Sequence, residues 1–372
     1  MYDYATLIVS ERYGMAHKKL FIPGPTEVHP EVLKAMATPM IGHRSGDYTE
    51  LQKRVTEKVQ KLAFTANPIL FSASSGSGLM EGAIRCCTAK KAVVFSVGTF
   101  GNRWYEIAQG NGVPADKHEV EWGTGITSEM IDRRLSTGQY DCATVTHSET
   151  STGVMNHLAK LAPVFRKYPD VVWCVDAVSS FAGVKIEVDS LGIDVMVTSS
   201  QKCLGLPPGL SLATFSPKAE KRAEGVKNRG YYFDLLQLLQ FIREKNFQYP
   251  STMSISHMFA LDLQMDRIAR EGLDNRFKRH DAMARRVQDW AKKHFALYPA
   301  EQDASTTVTC IKNTRGISVA ELNKELGKRN LNLSNGYGKL KEQTFRIAHM
   351  GDLQMSDIDE LLAAIEDILK LK

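Results

Sequence analysis

No stretch of this 372-residue sequence approaches the ~18 consecutive apolar residues that a membrane span requires, so no membrane partner is expected. The opening MYDYATLIVSERYGMAHKKL lacks the apolar centre of a secretory signal, and the closing LKLK is not a peroxisomal address. A cytoplasmic protein is the expectation. Cysteine is scarce, and the six present (Cys86, Cys87, Cys142, Cys174, Cys203, Cys310) form no CxxC pair and no zinc-finger spacing. Neither a disulfide framework nor a metal site is therefore expected, and Cys142 and Cys174 sit in apolar runs where a reduced thiol acts as a small hydrophobe. An excess of one charge is missing too. The 47 basic and 42 acidic residues leave +5, spread along the chain without a basic stripe, which argues against a nucleic-acid partner. Repeats and low-complexity linkers are absent.

What is present is length enough for more than one domain and an alternation of strand-like and helix-like segments. Apolar strand candidates are Ile69–Ser72, Ala92–Val97, Cys142–His147, Val171–Val175, Val195–Ser199 and Leu210–Phe215. Polar or amphipathic stretches such as Ser128–Ser136 and His157–Tyr168 lie between them. Strands apolar on both faces and joined by helical crossovers predict an α/β fold with a mostly parallel central sheet. Ligands of such sheets sit beyond the carboxyl ends of the strands. A long helical region, about 255–294, leads to a tail of α+β character. In it Val308–Ile311 and Thr344–Ala348 read as strands, Ser318 to Glu321 as a capping box, and a last helix starts at Ser356 with Asp359 at N3. The expected division is an N-terminal arm over 1–20, a large domain over 21–265 and a small C-terminal domain over 266–372.

Four segments that follow strands carry the chemistry. The run SSGSGLMEG, through Ser75, Gly76 and Ser77, stands at a strand-to-helix turn where backbone N–H groups and the helix N-terminus favour an anion. It lacks the Gly-Lys-Ser/Thr ending of a P-loop and the glycine spacing of a dinucleotide fingerprint. Asp176 ends an apolar strand in VDAVSS, where a buried carboxylate needs a cation or strong donors. It is either a helix cap or the partner of a protonated heterocyclic nitrogen. Lys202, in SSQKCLGLPPG, directly follows another apolar strand; it is either a solvated loop lysine or, in a low-dielectric site near other cations, one that loses its proton readily and becomes nucleophilic. The hydroxyl run HSETSTG, from His147 to Gly153, caps a helix or bonds a ligand's ring substituent. Together these are the parts that pyridoxal phosphate requires: a phosphate cup, a carboxylate for the pyridine nitrogen, and a lysine for a Schiff base.

In the order and spacing of these motifs, and from FIPGPT near residue 21 to FRIAHMG near residue 345, the sequence resembles the class V aminotransferases, within them the alanine/serine–glyoxylate group. The resemblance implies fold type I of the pyridoxal-phosphate transferases, a large domain with a smaller α+β C-terminal one. It implies a homodimer with shared active sites, and a ping-pong transfer through a Lys202 Schiff base from serine or alanine to glyoxylate or pyruvate. Carried over residue by residue, Ser75, Gly76 and Ser77 bind the phosphate, Phe100 stacks on the ring, and Thr150 bonds near its phenolic oxygen. Asp176 pairs with the ring nitrogen and Gln201 helps hold the cofactor. Tyr249 and Thr252 reach the neighbouring subunit's phosphate, and Arg346 clamps the substrate α-carboxylate with its fork. Two places depart from the pattern or stay open. His349 stands where the family more often has another residue, and either touches substrate or packs. His43 and Arg44 read a distal substrate anion or lie at the surface. Aspartate–2-oxoglutarate and 2-aminoethylphosphonate–pyruvate transamination are the alternatives on the same scaffold. A class V lyase is disfavoured by Gln201 before the lysine and by Cys310 in a strand, and a non-catalytic binding protein by the presence of both Lys202 and Asp176.

Overall fold

The computed structural model describes residues 17–371, so most of the expected N-terminal arm lies outside the described residues. Seven strands form the larger sheet, in the order Ile69–Ser72, Ser211–Thr214, Val195–Ser199, Val172–Asp176, Cys142–Thr146, Ala92–Ser96 and Ala115–Glu119. From Val195–Ser199 onward neighbours are parallel, whereas Ser211–Thr214 runs antiparallel to both strands beside it. The inner strands are buried along their whole length, which is why they read as continuous apolar runs. The edge strand Ala115–Glu119, ADKHE, alternates between buried and exposed positions and carries no such run, so it escapes a search for apolar strands. All six cysteines are free and buried.

A second sheet has the order Lys19–Phe21, Leu331–Asn335, Thr344–Ala348, Val308–Lys312 and Ala296–Leu297. It is antiparallel except for the parallel pairing of Lys19–Phe21 with Leu331–Leu333, so an early segment of the chain joins strands from its last third. Its core joins Phe21 to Val287, Trp290, Leu322, Leu361 and Ile365, while Met265 and Ile268 still belong to the core of the larger sheet.

The expected long helix is two helices, Ile255–Glu271 and Leu273–His294, broken at Gly272, whose φ of +84° is a conformation that favours glycine. Two caps differ from expectation. Ser318 Oγ accepts from the Glu321 N–H at 3.2 Å, but the Glu321 carboxylate pairs with Lys324 instead of returning to the cap, so only half of the box forms. The last helix is Met355–Leu369, one residue earlier than expected. Asp357 accepts from the Gln354 N–H at 2.8 Å, which leaves Asp359 free to pair with Arg286. Among the described residues no helix is long and apolar enough to cross a membrane.

Candidate active site

Lys202 sits in the return loop between two antiparallel neighbours, Val195–Ser199 and Ser211–Thr214. That loop is closed by Ser200 N–H to Leu210 O (2.9 Å), Ser200 Oγ to Pro207 O (2.6 Å) and Gly205 N–H to Lys202 O (2.9 Å). From the amino-terminal side Thr26 Oγ donates to Lys202 O at 2.9 Å, and the Lys202 amine donates to Pro23 O. Gly24 stands at φ +96°, a conformation that favours glycine, and a Cβ there would meet the backbone O of Gln201 at 2.9 Å and Lys202 Cδ at 2.7 Å. Burial, helped by the positive charge of Arg346, pushes the Lys202 pKa down from 10.5 to about 8. An ammonium in that environment loses its proton far more readily than a surface lysine.

Asp176, at the end of the central strand, lies across the same cavity. Its Oδ1 accepts the Val178 N–H at 2.9 Å. Burial pushes its pKa up from 3.8 to about 6, with the Glu149 carboxylate adding to the rise and the Val178 N–H and Lys202 opposing it. A carboxylate buried with so little compensation is a site for a cation. The cavity is also lined by Ser75, Gly76 and Ser77 at the start of helix Gly76–Cys87, and by Phe100, Thr150 and Gln201. Ser75, the residue before that helix, makes no side-chain cap, so the helix N-terminus stays open to an anion. The Gly76 N–H instead donates to Ser199 Oγ at 3.2 Å, and Ser199 Oγ donates to Gln201 Oε1 at 2.5 Å, which ties the cup to the lysine loop. Thr150 and Ser179 share a hydrogen bond of 2.5 Å.

Two residues at the cavity escape the sequence reading. Glu149 is fully buried and accepts from the N–H groups of Phe100 (3.0 Å) and Gly101 (2.9 Å) and from Ser151 Oγ (2.6 Å). It caps helix Thr99–Gly110 from another strand end and so sets where Phe100 stands. That contact spans 49 residues of sequence and leaves no local signal. Arg103 lines the cavity, lies 4.7 Å over the Phe100 ring and approaches Ser77 Oγ at 3.5 Å. Its position three residues after Phe100 on a helix was the available signal, since side chains at i and i+3 share a face.

The other expected residues lie outside this lining. Arg346, buried on the second sheet, donates through Nε (3.1 Å) and Nη2 (3.0 Å) to Asn335 O and through Nη1 (3.2 Å) to Thr150 O. A guanidinium has five N–H donors, so two remain for a carboxylate. Tyr337 bridges the two halves, with its ring 5.5 Å from Phe100 and 5.5 Å from the Arg346 guanidinium. Arg44 donates to Tyr249 O at 2.5 Å and reaches Pro250 O and Ser251 O, holding the loop that carries Tyr249 and Thr252; His43 is partly buried beside it. Thr252 is exposed, whereas the Tyr249 hydroxyl is buried without a hydrogen-bond partner. His349 is fully buried and bonded to Thr309 Oγ at 3.0 Å, with its pKa pushed down to about 3 by burial, so it packs as a neutral ring.

A desolvated lysine, a buried carboxylate and an uncapped helix N-terminus are gathered at the carboxyl ends of parallel strands in an α/β fold. The chain belongs to the class V aminotransferases: the family model described as Aminotransferase class-V matches residues 20–351. It is 37% identical to an uncharacterized aminotransferase of Methanocaldococcus jannaschii, over 95% of this chain and 93% of that one. It is 30% identical to the serine–glyoxylate aminotransferase of Arabidopsis thaliana, over 96% and 92%. The crystal structure of alanine–glyoxylate aminotransferase from Nostoc sp. superposes with a TM-score of 0.90 at 26% identity, covering 95% of this chain and 96% of that one. The protein is an aminotransferase, and its fold is that of this enzyme family.

Proposed function

We propose that this aminotransferase uses pyridoxal phosphate on Lys202 and moves the amino group of a small amino acid, serine or alanine, to glyoxylate or pyruvate by a ping-pong mechanism. The observation that carries the cofactor assignment is the pairing, across one cavity, of the desolvated Lys202 amine with the buried, under-compensated Asp176 carboxylate. Bound there, the cofactor supplies an aldehyde to the lysine amine and a protonated ring that accepts electrons. The open N-terminus of helix Gly76–Cys87, with Ser77 and Arg103, suits the phosphate, Asp176 suits the ring nitrogen, and Phe100 offers a stacking face. Lys202 Nζ, neutral from about pH 8 upward, is the base that takes the substrate Cα proton. The two N–H groups that Arg346 keeps free would hold the substrate carboxylate.

The preference for a small uncharged donor rests on Arg44, whose guanidinium is engaged by the carbonyls of residues 249–251, and on the glyoxylate-using relatives. A second reading has one observation behind it. Arg103 is a further cation in the cavity, and if the phosphate does not take it, it would read the distal anion of aspartate, 2-oxoglutarate or 2-aminoethylphosphonate. We place the cofactor unit at 21–265 and the small unit at 266–372; the core changes somewhat later, between Phe277 and Met283, and Phe21 packs in the second core. We also propose a cytoplasmic homodimer in which Tyr249 and Thr252 serve the partner's site. The exposure of Thr252 supports the dimer, whereas Tyr249 is buried within its own chain, and six unpaired thiols fit a reducing compartment.

The test is reconstitution followed by a donor-by-acceptor activity matrix. Protein mixed with pyridoxal phosphate should gain a visible absorption band, and borohydride should fix the cofactor to the Lys202 peptide. Absence of the band, or label on another lysine, overturns the cofactor assignment. A matrix led by aspartate with 2-oxoglutarate would move the substrate assignment to the second reading.

A further inference from the structure

The guanidinium of Arg276 is 1% exposed, the most deeply buried arginine among the described residues, and none of the roles above uses it. Its Nε donates to Ala182 O at 2.8 Å and its Nη2 to Cys203 O at 2.7 Å. Ala182 closes the turn that begins at Asp176, and Cys203 directly follows Lys202. The remaining edge, Nη1, pairs with Asp352 at 3.2 Å and Glu271 at 3.0 Å. Asp352 lies just past the strand Thr344–Ala348, which carries Arg346. One planar fork therefore holds three segments at set separations: the Asp176 turn, the Lys202 loop and the connection leading from Arg346.

Two further features show that the lysine loop is anchored along its length. Gln264 Nε2 donates to Leu204 O at 2.9 Å and reaches Asp352 at 3.2 Å, so consecutive carbonyls of the loop are met from helix Ile255–Glu271 and from Arg276. Ala182 stands at φ +70°, a left-handed conformation that costs a non-glycine residue energy, and its carbonyl is the one that Arg276 Nε holds. Burying a cation with two carboxylates brings little net stability compared with apolar packing. What it supplies is geometry, because a guanidinium presents its donors in a rigid plane and an ammonium does not.

We infer that Arg276 is a positioning residue that fixes Lys202, Asp176 and Arg346 relative to one another. The inference rests on the proposed roles of those three residues. Arg276→Lys is the decisive variant, because it keeps the buried charge for Asp352 and Glu271 but cannot bridge both carbonyls. It should fold, and the holoenzyme should show a Kd for pyridoxal phosphate raised roughly ten- to a hundredfold, a displaced pH midpoint of its visible band, and a higher KM for donor and acceptor alike. Leu326→Ala, a core truncation in the second cluster, serves as a control that lowers Tm without moving these three readouts. Should Arg276→Lys fail to fold, Asp352→Asn decides. It leaves the two carbonyl contacts in place, and it should raise KM while changing the cofactor Kd little. Variants that match the parent in Kd, midpoint and KM, whatever their Tm, overturn the inference. A parent protein that never binds the cofactor overturns the proposed function instead.

Discussion

The two halves of the site are built differently. The half proposed to hold the cofactor, from Ser75 through Asp176 to Lys202, stands on the ends of buried strands of one sheet and converges on one cavity. The half proposed to hold substrate is assembled from the second sheet and from loops. Arg346 comes from a strand of that sheet, Tyr337 from a loop with glycine on either side, and Arg44 from a loop that it locks to residues 248–251. The first half is held by a sheet whose register cannot slip without exposing a core face. The second is held by side-chain contacts to carbonyls. Covalent and proton-transfer chemistry should therefore be concentrated in the first half, and the grip on the substrate carboxylate in the second.

Lys202→Ala tests that comparison most severely. Activity with every donor should fall by roughly a thousandfold or more, because base and covalent anchor are lost together, and borohydride should no longer fix the cofactor. A surviving covalent label, or substantial turnover, would remove Lys202 from the centre of the first half.

Asp176→Asn should cost about a hundredfold in turnover, since a neutral ring is a poor electron sink, and yet should stabilise the cofactor-free protein. The folded-state pKa of about 6 lies above the usual 3.8, so the cost of burying the carboxylate is carried in full above pH 6 and vanishes below about pH 4. Removing it should raise unfolding stability at pH 7 by up to about 3 kcal/mol, measured by denaturant titration, with the gain shrinking as pH falls from 6 toward 4. A variant less stable than the parent at pH 7 would mean that the carboxylate is compensated in a way the structure does not contain.

The same two groups set a pH window for cofactor capture. Below about pH 6 Asp176 is protonated and cannot pair with a ring cation, and below about pH 8 most of the Lys202 amine is an ammonium. The rate of capture, followed as growth of the visible band, should rise through both steps and level off above pH 8. A rate independent of pH from 5 to 9 would contradict both assignments. Arg346→Ala, in the second half, should raise KM for all donors and acceptors together by roughly ten- to a hundredfold, the worth of a charge-assisted pair of hydrogen bonds. A loss confined to one substrate would shift the common carboxylate site elsewhere.

The first half was legible in the sequence for the reason it is rigid. Asp176 ends an apolar run and Lys202 stands shortly after one, so both draw notice as polar groups where burial is costly. Glu149 belongs to the same half yet was missed, because its partners, the Phe100 and Gly101 N–H groups, are brought to it only by the parallel pairing of their strands. Arg276 was hidden for a similar reason, as one cation among many on a helix rich in arginine. The second half shows how little of a loop is legible. The strands Leu331–Asn335 and Lys19–Phe21 carry too few apolar residues in a row to be read, although they form the edge beside Arg346. The helix break at Gly272 was not read, although its positive φ favours glycine, and Gln354 and Asp357 form the cap two residues before the one read from Ser356.

The smallest effect should come from Arg44→Ala, and it is the variant that divides the two substrate readings. In this structure the guanidinium faces the carbonyls of Tyr249, Pro250 and Ser251 and lies 5.8 Å from the Phe241 ring. Its removal loosens the loop that carries Tyr249 and Thr252 but takes no charge from the Lys202 cavity. The expected result is a loss of a few-fold in kcat/KM, on the order of 1 kcal/mol for hydrogen bonds to a partly exposed cation, equal for serine, alanine and aspartate. Arg103→Ala provides the contrast, since that side chain does line the cavity. If Arg103→Ala weakens cofactor binding and leaves the ranking of donors unchanged, the phosphate holds it and the small-donor reading stands. If Arg44→Ala instead abolishes activity with aspartate alone, starting from a preference for it, then Arg44 turns toward substrate in the working enzyme. Substrate choice would then depend on a loop that is held by side-chain contacts to carbonyls and not by the large sheet.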